Sequence, residues 1–361
     1  MTTYILFFVI IILGAGLLNK SKQFYLLLAC FCLFCLIGFR NAKVGADTID
    51  YVSNFYEYSR MNLDRIVAEA KESNMESLYI FLSWFVSWIF DSYSAFLCFW
   101  ALFPVIAIYK LLKSYGGNTV DVSISFIVLF MLGLFAFFVS GIRQTAAMSI
   151  LLLSYPYFDR LKIYNIRKFY KDSDFWKFLL CVVLAYSIHN SSILFLIAFP
   201  LKDIKVKWWY VVVAGSLFFL AQYIKIDSIV IITRLLFQDR FETYGDSYLS
   251  ELSMSGYFLQ FILFLICYFR RNQLVSKNPQ NIMLINMAFL GLCFQSMTGL
   301  IGEFFRVSFF FSIFDVILIP RALHEYNSVS NYKMIVTLFV CLSLYYLFFL
   351  SSSHLPVYNF A

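Results

Sequence analysis

FLLCVVLAYSIHNSSILFLIAFPL, residues 178–201, is an apolar run of membrane-spanning length that places His189, Asn190, Ser191 and Ser192 at its middle. A polar group in hydrocarbon without a partner is costly, so such a cluster faces a protein interior or a wet cavity. Short discontinuous helices at membrane depth are tolerated in the same places. The run therefore reads either as one helix or as a hairpin of two short helices with His189 at its apex.

The surrounding chain settles the class. Of its 361 residues 61% are hydrophobic, 21% aromatic and only 14% charged, and the mean hydropathy is +0.78. Buried spans are the sink for that much apolar surface, so the expected fold is an all-α polytopic integral membrane protein. Apolar runs lie near 4–18, 24–39, 77–90, 94–112, 122–139, 145–158, 178–201, 208–224, 257–269, 282–300, 307–320 and 332–351. They make about 12 transmembrane helices in one transmembrane domain over 1–361. The first run is one span among many, not a removable signal.

The formal charge of +7 comes from Lys and Arg in short loops between spans. That placement is the positive-inside pattern and argues against nucleic acid as a partner. The eight cysteines all fall within apolar runs, where packing explains them better than a metal or a disulfide.

Two longer polar segments, 40–76 and 225–256, are not rich in Lys or Arg relative to their acids and belong outside, whereas Lys20, Lys22, Arg270, Arg271, Lys277 and Arg321 belong inside. The middle allows two arrangements. With 77–90 crossing and 178–201 a single helix, the basic run RLKIYNIRKFYK (160–171) falls outside. With 77–90 re-entrant and 178–201 a hairpin, that run falls inside, along with Lys110 and Lys113. The charge rule favours the second.

Polar constellations punctuate the outer side. In FRNAKVGADTIDYVSNF (39–55), Arg40 and Lys43 flank a turn marked by Gly45 and Asp47. Either Arg40 snorkels and Asp47 caps a helix, or the two cations cradle a phosphate. SGIRQTAAMSI (140–150) sets Arg143 and Gln144 in an outward turn without a nearby acid. An arginine fork suits an anionic oxygen and Gln144 a sugar hydroxyl, unless Arg143 is an interfacial anchor. An unperturbed imidazole has a pKa of about 6.5, in range for His189 to serve as a general base. Glu303 and Arg306 in GEFFR (302–306) have the spacing of a mutual salt bridge. The outer segment adds Arg234, Arg240, Glu242, Tyr244 and Asp246, groups of the kind that line sugar sites. Asp315 lies within an apolar run and calls for a partner. Walker A, GxSxG, HExxH, DxD and Rossmann patterns are absent from the sequence.

RNAKVGADTIDY (40–51) resembles the R…GxDxxxY signature of the EpsG-type family of bacterial polysaccharide polymerases, the Wzy class. GIRQTAAMSI (141–150) is similar to that family's xRQxxAxxI element, and AYSIHNSS (185–192) to its histidine-then-serine segment, in the same order and spacing. HLPVYNF (354–360) departs from the family's Pro-Tyr ending by one intervening valine.

The resemblance implies a glycosyltransferase of the cytoplasmic (inner) membrane, acting on its outer face. A growing glycan would leave undecaprenyl pyrophosphate for a hydroxyl of the next lipid-linked repeat unit, with no cofactor and no metal. Arg40, Arg143 and Arg306 would meet the pyrophosphate charge, and Gln144, Arg240 and Tyr244 would contact substrate. His189 would be the base, with Asp47 and Glu303 in reserve. Lipid-linked donor and acceptor, membrane lipid and a chain-length co-polymerase are the implied partners. An O-antigen ligase, a lipid-linked oligosaccharide flippase or transporter, and a membrane-bound acyltransferase are the alternatives.

Overall fold

The computed structural model describes residues 1–161, 171–223, 254–299, 302–326, 329–351 and 354–361. It is helical, with no β-strand among the described residues beyond an isolated Arg40–Phe360 bridge. The chain folds as two compact units, one of residues 1–194 with 327–361 and the other of 195–326.

The first unit opens with α1 (Thr2–Leu17) and α2 (Lys22–Gly38). Two short helices follow in the first polar segment, α3 (Thr48–Ser59) and α4 (Leu63–Glu72), then α5 (Ser77–Ile89) and the long α6 (Tyr93–Tyr115). A capping box between Asn118 and Asp121 starts α7 (Thr119–Met131), satisfying backbone donors at both positions. Gly133, at φ +74°, ends that helix and begins α8 (Leu134–Ser140). The two are bent by 62°, a break that needs a residue at ease in the left-handed region. Next come α9 (Ile142–Arg160) and α10 (Ser173–Ile188). His189 is extended (φ −155°, ψ 113°) and stops α10. A 3-10 helix, Asn190–Ile197, starts immediately after it. The 178–201 run is thus interrupted at its polar cluster.

Contacts between helix ends give the first unit a direction. Lys22 donates to the Gly116 carbonyl (2.6 Å) and the Tyr115 and Tyr155 rings meet at 4.7 Å. Arg160 grips Asp174 through two bonds of 2.7 and 3.0 Å. One end of the unit therefore collects Lys22, Lys113, Arg160 and Lys177. At the other, Tyr51, Phe55 and Tyr58 of α3, Tyr79 and Ile80 of α5, Phe96, Leu97 and Trp100 of α6, Ile142 and Ala146 of α9 and Ile188 of α10 form one buried core. With Ile66 of α4, this aromatic floor draws on six helices, and it carries the site described below.

Met75 before α5 and Tyr93 after it pack on that same core.

By length and apolarity, Tyr93–Tyr115 and Asn331–Leu350 each suffice to cross a membrane. The bent pairs Thr119–Met131 with Leu134–Ser140, and Phe304–Ser312 with Asp315–His324, raise the number among the described residues to four. The other apolar helices have 10–17 residues. Among the described residues two to four spans therefore meet this test, fewer than the roughly 12 helices, some of them short, expected from the apolar runs. Hydropathy counts apolar residues across breaks that Gly133, His189 and the Phe314–Asp315 step introduce.

In the second unit, Asn286 organises the first turn: its amide donates to the carbonyls of Leu201 (2.5 Å) and Ile204 (2.9 Å), and Tyr210 donates to its oxygen (2.9 Å). Cations gather where Arg321 meets Asn281 (2.7 Å), Lys277 pairs with Glu325 (2.9 Å) and Arg270 lies 4.0 Å over the Tyr326 ring.

Candidate active site

The Gly45–Thr48 turn is clamped on the break between α8 and α9. Gly45 has φ +97°, and a Cβ there would come within 2.3 Å of the Val139 carbonyl oxygen. Only glycine permits that approach. Ala46 N donates to Ser140 Oγ (3.2 Å), and Thr48 Oγ1 donates to Val139 O (2.7 Å). Asp47, at the N-cap of α3, makes no capping bond through its side chain. It lies one helical turn before Tyr51, whose N–H donates to its carbonyl (3.2 Å).

Arg40 is 1% exposed, and its guanidinium donates to the carbonyls of Val44 (3.3 Å), Val139 (3.0 Å) and Ile37. Bonded to three main-chain acceptors, it braces the turn. The chain's last residues brace it from behind. Asn41 N donates to Asn359 O and Ala361 N to Phe39 O, each at 2.9 Å, while Tyr358 donates to Leu36 O (2.9 Å).

Arg143 stands in the first turn of α9, its guanidinium carbon 6.0 Å from the Tyr51 ring centre and 5.7 Å from that of Tyr79. Cation–π attraction operates at such distances. Its Nη1 is 2.5 Å from Oε2 of Glu76. The second oxygen of the same carboxylate accepts from Asn190 N (2.9 Å) and lies 3.4 Å from His189 Nδ1. Glu76 thus joins α5, α9 and the break after α10. The side chains are graded in burial: Glu76 is 4% exposed, His189 16% and Arg143 22%. The carboxylate is behind, and the imidazole and guanidinium are in front.

Burial alone would raise the Glu76 carboxyl. The His189 imidazole, the Arg143 charge and the Asn190 N–H outweigh it and hold the group at about 2, against an ordinary 4.5. Hydrogen bonds and positive charge around an anion act in that direction. Glu76, which the sequence reading did not single out, completes the cluster with Arg143 and His189. The one signal it offered was an acid closing the outer segment immediately before an apolar run.

The remaining expected residues divide. Gln144 is next to Arg143 but buried. Glu303 and Arg306, in the second unit, pair with each other at 2.9 Å, with each side chain 40% exposed. Arg240 and Tyr244, with Arg234, Glu242 and Asp246, lie outside the described residues. Asp315 is buried at the bend between Phe304–Ser312 and Asp315–His324.

The turn carrying Arg40 and Asp47, the Arg143 element and the His189 segment all fall within residues 23–361, over which the chain matches the EpsG family. This chain belongs to the EpsG family. EpsG is a family of Wzy-like polysaccharide polymerases, so this member is a membrane protein of polysaccharide biosynthesis. No curated protein and no solved structure matches it. Within this EpsG chain the motif glycine is explained by the Val139 contact, and the motif arginine at 143 and histidine at 189 meet on one carboxylate.

Proposed function

We propose that this EpsG-family chain polymerises lipid-linked oligosaccharide repeat units on the outer face of the bacterial cytoplasmic membrane. The growing glycan leaves undecaprenyl pyrophosphate and passes to a hydroxyl of the next lipid-linked unit. One observation carries the reading. Arg143 and His189, far apart in sequence, meet around Glu76 at the end of the first unit opposite Lys22, Lys113 and Arg160. Cytoplasmic loops are the basic ones, so the cluster is assigned to the exterior. About 12 crossings remain the proposed topology, several made by helices shorter than a full span.

Arg143 faces the leaving pyrophosphate, where a preorganised cation lowers the cost of developing charge. His189 takes the proton of the acceptor hydroxyl as that oxygen attacks the anomeric carbon. Asp47, in the adjoining turn, is the reserve base. Arg306 with Glu303, and the segment bearing Arg240 and Tyr244, are proposed to contact glycan or lipid-linked substrate. A separate co-polymerase sets chain length.

Deletion and complementation of the gene, read as glycan banding, tests this. The deletion should accumulate single repeat units on the outer face, and complementation should restore the ladder. Single units stranded on the inner face would mark a flippase and overturn the proposal.

A further inference from the structure

We infer that Glu76 is the positioning residue of this site: it orients the His189 imidazole through Nδ1 and holds Arg143 beside it, so that two motifs on separate helices act as one unit. The inference rests on the polymerase reading above and assigns a role to a residue outside all three sequence motifs.

The geometry carries it. One carboxylate serves three partners, with Oε2 on Arg143 and Oε1 shared between the Asn190 N–H and the Nδ1 side of His189. Asn190 begins the 3-10 helix. Glu76 therefore fixes the backbone that stops α10 as well as the ring that this stop presents. With Nδ1 turned to the carboxylate, the imidazole keeps its proton on that nitrogen and leaves Nε2 to accept another. Burial excludes the simpler idea that Glu76 is itself the base. Its side chain is 4% exposed, behind the two groups it holds, and a carboxylate gripped by a guanidinium and an N–H is a poor proton acceptor.

The step balances. The acceptor oxygen forms the bond to the anomeric carbon, and its proton goes to His189 Nε2. The bond from that carbon to the pyrophosphate oxygen breaks, and the leaving group departs with the electron pair. Before the step Glu76 and Arg143 offset each other. After it the cluster carries one net positive charge, shared between imidazolium and guanidinium, opposite the released pyrophosphate. The proton passes to water before the next turnover.

The charged and titratable groups around the cluster are Glu76 before α5, Arg143 on α9, Tyr51 and Tyr58 on α3 and Tyr79 on α5. Glu76 is the acid among them that touches His189. Neutralising it should make the imidazolium harder to form, because a counter-charge in contact is lost.

The test uses the purified full chain in lipid vesicles with lipid-linked repeat units, comparing wild type, Glu76→Gln, Glu76→Asp and His189→Gln over a range of pH. For Glu76→Gln, turnover per folded protein should fall on the order of 100-fold or more, the scale seen when a carboxylate orienting a catalytic imidazole is neutralised. The acid limb of its pH–rate profile should move down by about one unit. Glu76→Asp keeps the charge and should keep the limb in place at reduced rate, which also serves if Glu76→Gln does not fold. An unmoved limb in Glu76→Gln, or a limb that moves in Glu76→Asp, overturns the inference while an inactive His189→Gln leaves the polymerase reading standing. A His189→Gln protein at wild-type rate overturns the base assignment and the inference with it, whereas a wild-type protein that makes no polymer overturns the polymerase reading instead.

Discussion

The two ends of α9 carry the same kind of contact and do different things with it. At its C-terminal end Arg160, with its side chain 53% exposed, pairs with Asp174 through two nitrogens. At its N-terminal end Arg143 pairs with Glu76 among Tyr51, Tyr79 and His189, mostly out of water. An exposed pair adds about 0–1 kcal/mol, and its place among Lys22, Lys113 and Lys177 is what the positive-inside rule asks of a cytoplasmic end. A buried pair gains little net stability, yet removing one partner strands a charge at a cost of about 3–5 kcal/mol. Such an arrangement is kept for what the charges do. Better hydrogen-bond geometry therefore belongs to the anchor, and worse solvation to the site.

The largest effect is expected at His189. If it is the base, His189→Gln should lower polymerisation about 100–10,000-fold, because glutamine keeps a hydrogen bond and takes up no proton. A wild-type rate from this variant in vesicles would leave the N-terminal end of α9 without its chemistry. Arg143→Lys comes next. It keeps the charge paired with Glu76 but loses the fork, so the rate should fall toward the 100–1,000-fold scale of losing one electrostatic donor, about. Full activity would reduce Arg143 to a structural cation like Arg160.

Stability against pH sharpens the contrast at smaller magnitude. The Glu76 carboxyl is depressed in the folded protein, from the ordinary 4.5 to about 2. Its contribution, on the order of a few kcal/mol, is therefore complete above 4.5 and is lost as pH falls through about 2. Melting of wild type minus Glu76→Gln, followed by tryptophan fluorescence, should shrink as pH falls below 4.5, where His189 is protonated in both proteins. A difference that grows below pH 4.5 would contradict the assignment. The smallest effect is expected at Arg160→Ala, which should polymerise within about twofold of wild type and lose about 1 kcal/mol or less.

What the sequence revealed and concealed follows the same division. The break at His189 was legible because hydrocarbon makes a lone polar cluster conspicuous, and Arg143 stood out because the expected topology gave it no anchoring purpose. Glu76 was not legible: its partners are 67 and 114 residues away, and an acid before a helix reads locally as a cap. Arg40 was ambiguous for the opposite reason. Its acceptors are backbone carbonyls, which every residue has, and one of them is 99 residues distant. Nothing in RNAKVGAD separates a guanidinium that braces a turn from one that binds phosphate. Fewer full-length helices form among the described residues than there are apolar runs, because breaks at Gly133 and His189 are set by backbone conformation within runs that remain apolar.

The most direct measurement compares the two arginines of α9 in one assay. Purified Arg143→Ala and Arg160→Ala proteins, at equal folded amounts in vesicles, are given lipid-linked repeat units and the products are resolved by length. The account predicts single units for Arg143→Ala and a wild-type ladder for Arg160→Ala. A full ladder from Arg143→Ala, or loss of the ladder from Arg160→Ala alone, would contradict it.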